Sequence, residues 1–406
     1  MVDFHQNGNI ATMHNLRTRG LEDMTYELET FAQTRKMSLI LPCLYSELAT
    51  DAMPNILAEL SKVTYLHRII IGLDRANADE YRHARKFFEG LNQNHIVIWN
   101  DSPRMKALGA RLEEMGLAPT EAGKGKNVWS ALGYLIGCQD TSVMAIHDCD
   151  ILTYSNEMLA RLIYPVANPS FPYQVAKGYY ARIGNEKLNG RVTRLLVSPL
   201  LIALKRVVGD RDYIDYLRSF RYPLSGEFAM RRSILPDLRI PSDWGLEIGV
   251  LSEAWRNLAP KAVCQVEIAD AYDHKHQELS PEDAASGLNR MSTDICKAIF
   301  RKLAADGTVF TNNVFRTLKA TYYRSALDLL EAYYTDAQMN GLKVDRHSEE
   351  ASIELFAESI MRAGQTFLEN PHETPFIPTW NRVNAADPDF LRDMHDAAAA
   401  DAAEYS

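Results

Sequence analysis

Val143-Met144-Ala145-Ile146-His147-Asp148-Cys149-Asp150-Ile151 passes from four apolar residues into two carboxylates two positions apart. An apolar run of this length reads as a buried strand, and the change to His-Asp-Cys-Asp marks where it surfaces. Carboxylates at i and i+2 share one face of an extended strand, so Asp148 and Asp150 can lie beside one divalent cation whether the strand continues or turns. Hard oxygen ligands suit Mg²⁺ or Mn²⁺, and Mg²⁺ is commonly held by one or two carboxylates with substrate phosphates completing its shell. That chemistry points to a nucleotide-diphosphate substrate. The pair also fits a cap or a solvated turn, the commoner fate of a lone DxD, so its surroundings decide.

Upstream the buried-strand pattern recurs in Met37-Ser38-Leu39-Ile40-Leu41-Pro42, where proline stops the run, in Arg68 to Asp74, and in His95 to Trp99. Helical spacing fills the gaps, from Asp51 to Ser61 and from Tyr81 to Leu91. The alternation predicts an α/β fold with a doubly wound, mostly parallel sheet, whose strand carboxyl ends form the ligand edge. Cys43 to Glu47 would be the loop at the first such end. Gly123-Lys124-Gly125-Lys126-Asn127-Val128-Trp129 opens a helix running to Gly137. Glycine and lysine at a helix N-terminus suit a phosphate. The Gly-Lys-Ser/Thr ending of a P-loop is missing, and a flexible surface loop is the alternative.

Downstream, Gln174 to Arg182 has strand character, and Gly190-Arg191-Val192-Thr193-Arg194 leads into an apolar helix. Glycine, arginine and threonine at a helix mouth fit either an anion or an ordinary cap. Leu224-Ser225-Gly226-Glu227-Phe228-Ala229 and Trp244-Gly245-Leu246-Glu247-Ile248-Gly249 each set a glutamate among apolar residues, where it is either hydrogen-bonded inside or facing a pocket. Val263 to Ala269 reads as a strand delivering Asp273-His274-Lys275-His276-Gln277, and a neutral imidazole there is a plausible third metal ligand. Beyond Pro281 the spacing is helical, with aromatic stripes that suit a core or a dimer interface, a Pro- and Trp-containing coil at 372–383, and a short helix or frayed tail from Met394.

The chain divides into an N-terminal arm (1–36), two halves of one sheet domain (37–160 and 161–290) and a helical C-terminal extension (291–406). A net charge of −9 argues against a non-specific nucleic-acid binder. Five scattered cysteines with no CxxC suggest reduced thiols in a cytoplasmic protein, without disulfide or zinc. The N-terminus lacks a secretory h-region, and the most apolar window elsewhere, Leu195 to Leu204, is too short to span a bilayer.

Taken in order, Pro42-Cys43-Leu44-Tyr45-Ser46-Glu47, Gly123-Lys124-Gly125, Asp148-Cys149-Asp150, Gly190-Arg191-Val192-Thr193, Gly226-Glu227-Phe228-Ala229, Gly245-Leu246-Glu247-Ile248-Gly249 and His274 resemble the retaining glucosyl-3-phosphoglycerate synthases. The resemblance spans roughly residues 37 to 300 by motif order. It implies a GT-A fold, a Mg²⁺ or Mn²⁺ cofactor, a UDP- or GDP-glucose donor and 3-phosphoglycerate as acceptor. It further implies that Pro42 and Glu47 frame the base and ribose, that Lys124 lies near the phosphates, and that Asp150 and His274 hold the metal. Asp148 would support the nucleotide, with Cys149 a spacer in the donor loop. Gly190, Arg191 and Thr193 would grip the acceptor phosphate, and Glu247 would face sugar or acceptor hydroxyls. The Leu224 carbonyl would lie beneath the anomeric carbon. Two positions depart from the pattern: His276 replaces the family's Asn at the acceptor carboxylate, and Cys149 replaces a Ser. A mannose donor, a glycerate or glycosylated phosphoglycerate acceptor, a sugar-1-phosphate nucleotidyltransferase and a non-catalytic sugar-nucleotide sensor are the alternatives. A homodimer formed through the C-terminal stripes is also expected.

Overall fold

The computed structural model describes residues 6, 8–119, 121, 123–274, 287–371 and 377–405. Its strands are β1 (Ala11–Met13), β2 (Met37–Leu44), β3 (Leu66–Asp74), β4 (His95–Trp99), β5 (Val143–Ile146), β6 (Val175–Tyr180), β7 (Ile183–Gly184), β8 (Lys187–Leu188), β9 (Phe228–Arg231) and β10 (Val263–Ala269). The helices up to the end of the sheet domain are α1 (Leu21–Ala32), α2 (Ala52–Leu60), α3 (Ala78–Phe88), α4 (Pro103–Glu114), α5 (Lys124–Cys138), α6 (Asn156–Ala167), α7 (Ser198–Val208), α8 (Asp212–Ser219) and α9 (Leu246–Asn257). Those of the extension are α10 (Gly287–Ala305), α11 (Asn312–Met339), α12 (Arg346–Glu369), α13 (Trp380–Ala386) and α14 (Phe390–Glu404).

Eight strands form one sheet in the order β1-β10-β6-β9-β5-β2-β3-β4. All its pairings are parallel except those that β9 makes with β5 and β6. Helices cover both faces, so the central strands are apolar throughout: Leu39, Ile40, Leu41, Ile69, Ile70 and Ile71 are all buried. The N-terminal arm carries an edge strand, β1, which adds to β10.

Two expectations are corrected. Pro42 does not stop β2, which continues to Leu44 with Pro42 opposite Gly72 of β3. The Ile40 carbonyl accepts from the His147 amide, so even-numbered residues of β2 turn toward β5; β5 ends at Ile146, and the missing N–H of Pro42 therefore faces no ladder partner. Within 372–383, the part read as coil from Trp380 onward is the helix α13, capped by Thr379; residues 372–376 lie outside the described residues.

Candidate active site

β5 ends at Ile146, and the chain turns at Cys149–Asp150, at the carboxyl edge of the sheet. An isolated antiparallel bridge between Ile151 and His274, with the Leu152 amide donating to the Asp273 carbonyl (2.9 Å), brings the end of the β10 loop against this turn. His274 Nδ1 lies 3.5 Å from Asp150 Oδ2. Asp150 Oδ1 is buried and has no hydrogen-bond partner among the described residues. Burial pushes the nearby Glu47 carboxyl up to about 7, with Asp150 and Asp148 adding repulsion. Two acids, an imidazole and an orphaned carboxylate oxygen fit a hard divalent cation held by Asp150 and His274.

Asp148 is engaged differently. Its Oδ1 lies 2.6 Å from Lys124 Nζ at the first position of α5, and the same ammonium lies 3.4 Å from Glu247 Oε1 in the first turn of α9. Burial is the largest influence and would raise the Asp148 pKa, but the Lys124 charge and hydrogen bond, with His274 and His147, together outweigh it and hold the carboxylate below its ordinary range. Burial likewise opposes the Lys124 ammonium, and Asp148 and Glu247 overcome it. Gly226 makes this packing possible, because a Cβ there would stand 2.5 Å from Asp148 Oδ2 and 2.8 Å from Lys124 Nζ.

The loop after β2 is a 3-10 turn, Tyr45–Ala49, in which Glu47 Oε2 accepts from the Leu44 amide at 2.8 Å. Cys149 turns inward, buried, with its sulfur within 4.8 Å of that of Cys43. It is a packing residue between the turn after β5 and the end of β2.

Of the two glutamates set among apolar residues, Glu227 is interior: the Tyr180 and Tyr272 hydroxyls donate to it at 2.8 and 2.6 Å. Burial, with repulsion from Asp148, holds its pKa above the ordinary value. Glu247 is the one beside the site. Leu224 lies in the turn just before, with the Ser225 amide donating to the Tyr222 carbonyl (3.2 Å). Ser225 Oγ donates to the Gly178 carbonyl (2.6 Å), and Lys177 Nζ donates to the Ser225 carbonyl. Lys177 is completely buried, its Nζ 3.6 Å from the centre of the Phe228 ring, and burial lowers its pKa to about 7. The sequence reading missed it, although a lysine inside Val175-Ala176-Lys177-Gly178-Tyr179-Tyr180 is itself a signal, since such a charge needs partners.

Gly190 adopts φ +74°, the left-handed region that favours glycine, and Tyr222 packs against it. Tyr222 contacts Tyr180, which stacks on Tyr272, and Tyr272 meets His274 edge-on. This aromatic relay joins the Gly190 loop to His274. Val192–Val197 form a π-helix. Thr193 Oγ1 is buried without a hydrogen-bond partner among the described residues. Arg191 is half-buried, and burial lowers its pKa. An orphaned hydroxyl two residues from a half-buried guanidinium is a donor set an anion can use. His276 lies outside the described residues.

A mostly parallel sheet with an acidic turn at its carboxyl edge, a lysine-headed helix against that turn and a histidine delivered from a later strand defines a glycosyltransferase of the GT-A type. No family model matches the sequence. Over 389 residues it is 46% identical to the glucosyl-3-phosphoglycerate synthase of Persephonella marina, with 96% of each chain covered. It is 36% identical to that of Methanococcoides burtonii over 100% of this chain and 99% of the relative. The solved structure of the Mycobacterium tuberculosis glucosyl-3-phosphoglycerate synthase with Mn²⁺, UDP-glucose and phosphoglyceric acid shares the fold, with a TM-score of 0.53 at 22% identity, covering 73% of this chain and 88% of that one. The chain belongs to the glucosyl-3-phosphoglycerate synthase family.

Proposed function

We propose that the protein transfers glucose from a nucleoside-diphosphate glucose to 3-phosphoglycerate with retention of configuration, giving glucosyl-3-phosphoglycerate. The observation that carries this reading is the pairing of Ile151 with His274, which sets Asp150 and its orphaned oxygen beside an imidazole and next to the Asp148–Lys124–Glu247 cluster. Residues 37–160 supply most of the donor side and 161–290 the acceptor side. A Mg²⁺ or Mn²⁺ ion held by Asp150 and His274 would neutralise charge on the departing diphosphate.

Lys124 adds a fixed positive charge at the N-terminus of α5, where phosphate oxygens are favoured. Arg191 and Thr193 hold the acceptor phosphate. Glu247 orients hydroxyls, and the Leu224 carbonyl, fixed through Ser225 by Lys177, faces the anomeric centre. The bond from the anomeric carbon to the diphosphate oxygen breaks as the acceptor hydroxyl bonds to that carbon from the same face, and its proton passes to the leaving phosphate. No side chain is assigned as a covalent nucleophile. Five free thiols and phosphorylated substrates are consistent with a cytoplasmic setting.

The test is incubation with UDP- or GDP-glucose, Mg²⁺ or Mn²⁺ and 3-phosphoglycerate, with product identification. Mannose donors and glycerate acceptors form the comparison arms. Nucleotide release above background is expected only with an acceptor present, and its absence overturns the reading. Asp150→Ala is expected to abolish both turnover and metal-dependent nucleotide binding; wild-type activity in that variant refutes the metal assignment.

A further inference from the structure

The anion loop has an unusual support. Arg194, inside the π-helix, folds back so that Nε donates to the Asn189 carbonyl (2.9 Å) and Nη2 to the Leu188 carbonyl (3.1 Å), the two residues before Gly190. Its other face meets Glu349 of α12 as a bidentate pair, Nη2 to Oε1 at 2.5 Å and Nη1 to Oε2 at 3.1 Å, with both side chains only 7% exposed. The guanidinium lies 5.1 Å from the centre of the Tyr333 ring of α11. Two further ties run from the extension to the same segment. The Tyr322 hydroxyl donates to the Leu195 carbonyl (2.6 Å), and Lys343 binds Glu186 through its amide (2.7 Å) and its ammonium (2.5 Å).

A buried carboxylate beside an anion site is a hazard: unpaired, it repels the anion and attracts the cation meant for it. Glu349 exerts a favourable charge interaction on Arg191 as well as on Arg194. With both Glu349 oxygens taken by Arg194, Arg191 makes no hydrogen bond or ion pair among the described residues, and Thr193 Oγ1 remains unpartnered.

We propose that Arg194 and Glu349 are positioning residues for the acceptor phosphate, through which the C-terminal extension shapes the Gly190–Thr193 loop and keeps Arg191 free for the anion. This rests on the acceptor reading given above. Exposed ion pairs contribute little, but this one is buried and bidentate, so losing one partner leaves the other charge uncompensated.

The experiment is steady-state kinetics on the full chain with UDP-glucose and 3-phosphoglycerate, each varied separately. Arg194→Met is expected to raise the 3-phosphoglycerate KM at least about 10-fold, because Glu349 then captures Arg191, with the donor KM within about two-fold. Adding Glu349→Gln to Arg194→Met removes the captor and should return the acceptor KM to within about three-fold of wild type, a rescue that mere loss of scaffold would not give. If Arg194→Met does not fold by thermal melting, Arg194→Lys, which keeps the charge but not the fork, should raise the acceptor KM alone by about three-fold. An unchanged acceptor KM, equal movement of both KM values, or failure of the Glu349→Gln rescue overturns the proposal. Arg191→Ala separates the two layers: an acceptor KM that does not move sinks the acceptor site itself, whereas a rise in Arg191→Ala without one in the Arg194 variants sinks only the positioning role.

Discussion

Among single residues, Gly226 is the most constrained by the site. Asp148 and Lys124 close over its α-carbon, so Gly226→Ala must displace one of them. Turnover should fall on the order of 100-fold, the cost of an ångström-scale misplacement, while the melting temperature changes little. Steady-state assays beside thermal melts check this, and near-native activity refutes the packing argument. The glycine, the Asp pair, Lys124, Glu247 and His274 were all legible in the sequence as residue types in suggestive company. The family resemblance implied their division of labour, but residue types and spacing alone did not. Asp148 goes to Lys124 and Asp150 to His274, a split that alternation along one strand cannot reveal because the chain turns at Cys149. Lys177 and Arg194 passed unassigned because their partners, a carbonyl of the Ser225 turn and Glu349 of α12, are remote in sequence.

At the level of elements, α5 carries Lys124 at one end and is clamped along its length by the C-terminal segment. Trp129 and Trp380 stack with centroids 4.0 Å apart, the Trp380 indole donating to the Trp129 carbonyl (3.0 Å) and the Trp129 indole to the Pro378 carbonyl (2.8 Å). Gly133 leaves the space that the Trp380 ring fills. Trp380→Ala should therefore cost about 3–5 kcal/mol, the range for a buried aromatic truncation. Chemical denaturation followed by circular dichroism measures it, and a loss under about 1 kcal/mol would show that α13 is not a structural clamp. The sequence of this helix reads as coil because it is short and weakly periodic, and its burial comes from the docking of one tryptophan. The strands β2 to β5, with long apolar runs, were placed within a few residues.

For the whole molecule, the aromatic stripes of the extension are core: Phe315, Tyr322, Phe356, Ile360 and Phe367 join one cluster with Ile40, Met144 and Leu196. They therefore carry no argument for a second copy, and the homodimer expectation loses its stated basis. No described helix is long and apolar enough to cross a membrane. Global stability should respond to acid through His147, which is fully buried at the end of β5 with neither ring nitrogen hydrogen-bonded among the described residues. Burial lowers its pKa to about 4, from an ordinary 6.5. The unfolded chain thus takes up a proton between pH 6.5 and 4 that the folded chain refuses. Stability is complete above the unfolded value and declines as pH falls through this window, by on the order of 3 kcal/mol. His147→Leu should flatten that part of the pH–stability curve in urea titrations; an unchanged slope would rule His147 out as the cause.

The order of strands and helices, the buried character of the sheet and the set of chemically active residue types follow from the sequence, because periodicity and glycine, proline and charge placement act over a few neighbouring residues. Tertiary structure alone decided which partner each charge meets. The Ile151–His274 bridge, the Lys124–Asp148–Glu247 cluster and the Arg194–Glu349 fork join segments far apart in the chain. Such pairs form because a charge withdrawn from water must find a compensating group wherever packing brings one within reach.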